Sequence, residues 1–495
     1  MQVEVRPTDP VDEPKVVEGP LSSQEDVTDQ SAALLPEAST DLGALEGLTH
    51  YSLTLDIDYG ELTFDGQAQV HITNMEDVPL EQLYFRLMPN GEKSYGNGSL
   101  TVSEVAVDSQ PAETILSLSD TVLEIELPET LEVGESVMVS MDFKGVVPEE
   151  FGGQETPAGY GIYNYSDGVL ALSGWYPILA VYDEQGWNLD AVSAIGDSVY
   201  SDIATYLVDV SINEDVVLAS SGVVTADDSS GDRVRYQLVS GPVRDFFLVM
   251  SPKFQVVEDV VDGTRVQSYY LPGHESAGAA ALSISADSIE IFNDRFGHYP
   301  YTEFKVVDAP MRYALGVEYP GVVLVASQLY DDPDNPSFTV ATAHEVAHQW
   351  WYNVVGNDVF DEPWLDEALT TYSSSLYYQE AVGEGAYQGF ISYWEERYEQ
   401  VVEEGSDASI TATLSYFEDP SHGVSYGGVV YTKGALFFKA LREQIGDQAF
   451  FEALQRYFHA HKYGIARGED LLSAFEESSG ESLSDFYQEW LSSPQ

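Results

Sequence analysis

In the stretch HYSLTLDIDY, the side chains of Tyr51, Leu53, Leu55 and Ile57 alternate with polar neighbours. A period of two places all four on one face of an extended chain, so this segment fits a half-buried strand and not an amphipathic helix. The same texture returns in DGQAQVHITN, VLEIELP, TYLVDVSI and VRDFFLVMSPKF, with Gly, Pro, Asn and Asp turns between them, as far as about Lys253. Many short strands at this spacing predict an antiparallel β domain, a saddle or sandwich, over residues 46–255.

Near Gly273 the texture changes. SAGAAALSISADSIEIFNDRFG carries Ala, Leu, Ile and Phe along one stripe and reads as a helix ending near Gly297, while FKVVDAP and GVVLVASQ read as strands. Beyond Asp334 helical patterns run to the end of the chain. Residues 256–495 are therefore expected to form a second, mostly helical domain of α/β type.

Composition bounds the function. The 495 residues include 84 acidic and 20 basic side chains, a formal net charge of −64. A polyanion would be repelled by most of such a surface, so nucleic acid is set aside as a partner. General solubility and a salt-tolerant source both fit this charge. Cysteine is absent, which excludes disulfides, thiolate ligands and a cysteine nucleophile. No apolar run reaches the length of a transmembrane segment. Residues 1–45, rich in Pro, Glu, Asp, Ser and Thr, are expected to form a disordered acidic leader. Such a leader fits an extracellular or cell-surface tethered protein whose export signal has been removed; a cytoplasmic protein with a ragged end is the alternative.

The chemistry is concentrated in ATAHEVAHQWWYNVVGNDVFDEPWLDEALTTY, residues 341–372. Asn335 can cap a helix that Pro336 opens, and on that helix His344 and His348 stand one turn apart on one face. Two neutral imidazoles from a rigid element suit zinc, and Glu345, rotated off their axis, can reach a metal-bound water without being a ligand. A second helix is expected after a turn, capped by Asp361 or Glu362, opened by Pro363 and ended by Gly383. Glu367, in its first turn, follows His348 after eighteen residues and offers a third ligand, leaving a position open for water. Asp366 points elsewhere on the helix, in a supporting or solvent role. His-Glu-x-x-His also occurs by chance in helices; the capping signals, the QWW face and the placement of Glu367 favour the metal site.

These residues resemble the zinc aminopeptidases of the aminopeptidase N type (the membrane alanyl aminopeptidase family), gluzincins with a thermolysin-like catalytic domain. ALGVEYPG is similar to the exopeptidase motif Gly-x-Met-Glu-Asn of that family, and VVYTKGAL to its Tyr-x-Lys-Gly-Ala segment. The resemblance covers most of residues 49–495 and implies a β domain followed by a thermolysin-like, mostly helical zinc domain. It implies one zinc per chain on His344, His348 and Glu367, with Glu345 as general base. It also implies that Glu318 binds the free α-amino group of a peptide substrate and that Tyr431 hydrogen-bonds the oxyanion. In its own right Glu318 could simply be an exposed edge residue, and Tyr426 competes with Tyr431. Val317 and Tyr319 depart from the motif's Met and Asn, and the sequence continues only briefly past the catalytic helices, as in a short bacterial form without the C-terminal helical domain. The expected function is removal of N-terminal residues from peptides. The alternatives are a zinc endopeptidase with an open cleft and a catalytically silent peptide-binding scaffold.

Overall fold

A computed structural model of the chain describes residues 30–149, 162–196, 199–311 and 314–491. Its first half is built on an eight-stranded sheet, in which Thr49–Asp58 lies beside Thr63–Thr73 and Ala204–Asn213 at the centre. Tyr51, Leu53, Leu55 and Ile57 are all buried, on the one face that their alternation implies. Two four-stranded sheets pack with it, one of them centred on Val169–Leu172 and Leu248–Ser251, the other on Leu80–Arg86 and Val122–Leu131. Among the described strands of this half the pairing is antiparallel, except that Thr49–Asp58 runs parallel to Ala204–Asn213. Those strands are far apart in sequence, so no hairpin imposes opposite directions on them.

The second half opens with a five-stranded sheet in the order Gln255–Val261, Thr264–Tyr270, Glu303–Ala309, Val322–Ala326 and Gly316–Tyr319. The expected helix near Gly273 is present as Glu275–Arg295, and it packs on this sheet. Helices follow almost without interruption to Leu491, and among the described residues none is long and apolar enough to cross a membrane.

One expectation fails. The expected disordered leader runs through residue 45; residues 1–29 lie outside the described part, but residues 30–45 are packed. Gln30–Ala33 forms a 3₁₀ turn, Leu34 bridges Tyr301, and Leu34, Leu35, Ala38 and Leu42 are buried. Lys462 donates to Asp41 at 2.6 Å and fastens the segment to the C-terminal helices. A short apolar run inside a polar stretch is hidden by composition, yet burying its three leucines stabilises by several kcal/mol, at about 1.5–3 kcal/mol each.

The two halves share one continuous apolar core. The rings of Phe247, from the first half, and Tyr319, on the edge strand Gly316–Tyr319, stack at 3.8 Å. Arg244 is buried and donates to the carbonyl oxygens of Ser201 (3.0 Å), Tyr352 (2.7 Å) and Gly464. These contacts fix the edge strand and the end of the histidine-bearing helix relative to the β-rich half.

Beside this junction lies a cavity of about 50 Å³ bordered by Asp245, Tyr95, Glu318 and Tyr352. Asp245 Oδ1 accepts from Tyr176 Oη (3.0 Å) and the Phe246 amide (2.7 Å), while Oδ2 is buried with no donor among the described residues. Burial pushes the Asp245 carboxyl up to about 6, against the pull of those two donors. A carboxyl whose pKa rises on folding favours the fold below its unfolded value, near 4, and that contribution is lost as pH rises through about 6. The shift corresponds to roughly 3 kcal/mol. Asp245→Asn keeps the Oδ1 acceptor and removes the charge, so it is expected to raise stability at pH 8 by roughly 1–3 kcal/mol and by about half as much at pH 5. Urea denaturation at the two pH values checks this, and an equal effect at both would contradict it.

Candidate active site

The helix Pro336–Ala347 begins as its sequence signals: Asn335 accepts from the Ser337 amide at 3.0 Å and Pro336 takes the first turn. His344 lies in its last turn and His348 is its C-terminal cap. The next helix, Trp364–Tyr377, is buried along its whole length, not only on the stripe of Leu365, Leu369, Tyr372 and Leu376. Its hydroxyls tolerate burial by bonding back to the helix, as Ser373 does to the Leu369 carbonyl at 2.8 Å. The helix passes into a π-helical turn, Tyr378–Val382, that Gly383 ends.

Its N-terminus differs from expectation. Pro363 is the cap residue, and neither Asp361 nor Glu362 caps the helix. The Glu362 carboxylate instead accepts from the Gly468 amide at 3.1 Å, at the start of helix Gly468–Ser479. A helix N-terminus distant in sequence competes successfully for the anion. Asp366 is buried and accepts from Asn357 Nδ2 at 3.0 Å, which removes the solvent reading and leaves the supporting one.

His344, His348 and Glu367 converge. The two Nε2 atoms are 3.2 Å apart, and Glu367 Oε2 lies 3.3 Å from His344 Nε2 and 3.5 Å from His348 Nε2. Zinc bonds of 2.0–2.2 Å in tetrahedral geometry put ligand atoms about 3.3–3.6 Å apart, so the three atoms match one face of such a tetrahedron. Glu367 Oε2 is buried and faces both imidazole Nε2 atoms, as suits an atom that shares a cation with them. A second group, Glu318, Glu345 and His348, also comes within reach of a single ion. There His348 Nδ1 is already engaged, by the Trp351 carbonyl at 3.2 Å and Thr370 Oγ1 at 3.3 Å. Donation from Nδ1–H to that carbonyl directs the Nε2 lone pair toward Glu367, which favours the first group.

Electrostatics agree with the geometry. Burial opposes ionisation of Glu367, but hydrogen bonding to the two imidazoles outweighs it and holds the carboxyl well below the usual range. Burial also holds His348 below its ordinary value, with Glu367 opposing. A carboxylate beside a neutral imidazole is the protonation state in which a metal is bound.

The other three residues singled out in the sequence border the same cleft, whose volume is about 910 Å³. Glu318 stands on the edge strand of the five-stranded sheet, yet it is only 7% exposed, and its Oε1 lies 3.7 Å from His348 Nδ1. The reading as an exposed edge residue is therefore excluded. Tyr431 donates to Glu367 Oε1, and its ring stacks on His344 with centroids 5.9 Å apart. Tyr426 is a neighbour, edge-on to Tyr431 at 5.6 Å.

The residues around Tyr431 explain its position. It sits in a π-helical turn, Gly427–Lys433. Lys433 is fully buried and donates to Asp407 (3.1 Å) and the Ala408 carbonyl (2.9 Å), which ties the turn down. A Cβ on Gly434 would fall 2.4 Å from the Ala368 Cβ, so glycine lets helix Gly434–Ile445 approach the glutamate helix beside Glu367. Sequence reasoning missed the partners of His348 Nδ1, Trp351 and Thr370, because nothing local marks them. It also missed an aromatic flank of the cleft, formed by Tyr378, Phe390, Tyr393 and Trp394.

Residues 280–490 match the peptidase family M1 domain. Aminopeptidase M1-C of Oryza sativa subsp. japonica is 24% identical over 465 residues, which is 89% of this chain and 49% of that protein. Aminopeptidase N of Streptomyces lividans is 28% identical over 224 residues, 43% of this chain and 26% of that one. The chain thus spans about half the length of the first of these relatives, or less. The fold is similar to that of an M1 zinc metallopeptidase from Deinococcus radiodurans, with a TM-score of 0.70 and 20% identity over 91% of this chain and 94% of that one. Domain match, relatives and fold thus agree: residues 280–490 match the M1 peptidase domain, and the chain is similar in sequence to M1 aminopeptidases and in fold to an M1 zinc metallopeptidase.

Proposed function

We propose that this protein is a zinc-dependent aminopeptidase that releases N-terminal residues from peptides. The observation that carries the proposal is the meeting, in one cleft, of a zinc-sized triangle of donors and a buried carboxylate, Glu318, beside it. His344, His348 and Glu367 would hold the metal. Bound zinc supplies Lewis-acid polarisation of the scissile carbonyl and a lowered pKa for water.

The remaining work falls to side chains of the chain itself. Glu345 accepts a proton from water as its oxygen bonds to the carbonyl carbon, then delivers that proton to the departing amine as the C–N bond breaks. Tyr431 donates to the carbonyl oxygen as negative charge develops there, a contribution of about 3–4 kcal/mol for a well-placed donor. To do so it exchanges its bond to Glu367 Oε1 for one to substrate. Glu318 pairs with the substrate's α-ammonium. A mid-chain amide brings no positive charge to that buried carboxylate, which disfavours endopeptidase cleavage.

A free-amine peptide amide and its N-acetylated counterpart separate these readings. With the metal-loaded enzyme, acetylation is expected to lower kcat/KM by about 100-fold or more, the size of losing one buried charge pair. Equal rates on the two substrates, or products cut within longer peptides, would remove the aminopeptidase reading and favour the endopeptidase.

A further inference from the structure

The helix Glu384–Glu403 turns one face to the cleft: Ala386, Gly389, Phe390 and Tyr393, at helical spacing. Phe390 stacks on Tyr378 with centroids 5.1 Å apart and meets Trp394 at 4.6 Å. Tyr393 is 60% exposed although it borders a cavity, an arrangement that core packing does not require. A Cβ built on Gly389 would touch nothing within 4 Å, so the space beside the rings is open.

The position of this flank gives it a direction. Glu318 lies at the His348 end of the helix Pro336–Ala347, at 3.7 Å from His348 Nδ1. Tyr378 is fixed at the opposite end, where its hydroxyl donates to the Pro336 carbonyl at 3.2 Å. Twelve residues of helix separate Pro336 from His348, roughly 18 Å at 1.5 Å per residue. The donor triad lies between. A peptide whose ammonium rests on Glu318 and whose scissile carbonyl reaches the triad must send its leaving side toward Pro336. Two or three extended residues cover about 7–10 Å, enough to bring them onto the rings.

We infer that the aromatic flank binds the side chains that follow the scissile bond, so that preferred substrates carry aromatic or large apolar residues there. The inference rests on the aminopeptidase reading, because Glu318 sets the direction of the bound peptide. Stacking on Phe390 and Tyr393 removes two apolar faces from water at once, and the ring geometry favours aromatic partners. Dipeptide and longer substrates gain from this flank; an amino acid amide, which has no following side chain, gains nothing.

The test compares kcat/KM for Ala-Phe-amide and Ala-Gly-amide with the zinc-loaded full chain, reading cleavage after Ala. The ratio in favour of Phe is expected to be about 10-fold or more. Tyr393→Ala, at an exposed position, is expected to lower that ratio severalfold, and Gly389→Leu, which fills the open space, to bring it near unity. A ratio near unity in the unaltered enzyme, or one that neither variant changes, overturns the inference while the aminopeptidase reading stands. If neither peptide is cut, the aminopeptidase reading falls and the inference falls with it.

Discussion

Glu345→Gln is expected to lower kcat by about 10²–10⁴-fold while the protein keeps its zinc. Glutamine preserves the size of the side chain and cannot accept a proton at neutral pH, so the loss isolates the transfer from water to the leaving amine. Glu345 lies within the group formed with Glu318 and His348 and is not one of the three atoms that make the tetrahedral face. Metal content should therefore be unchanged. Metal analysis of purified protein, together with turnover of a free-amine dipeptide amide, separates the two effects. Undiminished turnover would show that the base lies elsewhere and would discard the mechanism above. Retained zinc with no turnover in the unaltered protein would instead identify a catalytically silent scaffold.

Glu367→Gln is expected to weaken zinc binding by more than about 100-fold, the upper range for losing a mere outer-shell partner of a ligand. An amide is a poorer ligand than a carboxylate, and it also removes the one negative charge that faces both imidazoles. Ligand binding to the native state stabilises it in proportion to the logarithm of the free ligand over its dissociation constant. Added zinc should therefore raise the melting temperature of the unaltered protein and do little for the variant at the same concentration. Thermal melts across a zinc series, with metal analysis after gel filtration, read both consequences. If the variant leaves the column with a full complement of zinc, Glu367 is not a ligand and the Glu318, Glu345 and His348 group becomes the better candidate.

The Tyr431 hydroxyl is bonded to Glu367, the same residue whose other oxygen completes the donor triangle. This bond holds both side chains in place before substrate arrives, and its exchange for the carbonyl oxygen is the one rearrangement that the proposed reaction demands of the site. The rigid supports around it, Lys433 on Asp407 and Gly434 against Ala368, limit that rearrangement to the side chain.

What the sequence determined by itself was local. The alternation in Thr49–Asp58 selects a strand and names its buried face, because a period of two admits one solution. Asn335 and Pro336 mark a helix start, and the spacing of His344 and His348 sets both rings on one side of it. Each of these follows from backbone geometry within a few residues. The tertiary structure decided whatever depends on competition between distant groups. Glu362 serves Gly468 instead of its own helix, residues 30–45 pack because Tyr301 and Lys462 are there to receive them, and Glu318 is buried on an edge strand because the histidine-bearing helix packs against that strand. The choice of Tyr431 to meet Glu367, and the turning of Phe390 and Tyr393 toward the cleft, belong to the same class. Such contacts join positions tens to hundreds of residues apart, and their free energy arises only once the fold has brought the partners together.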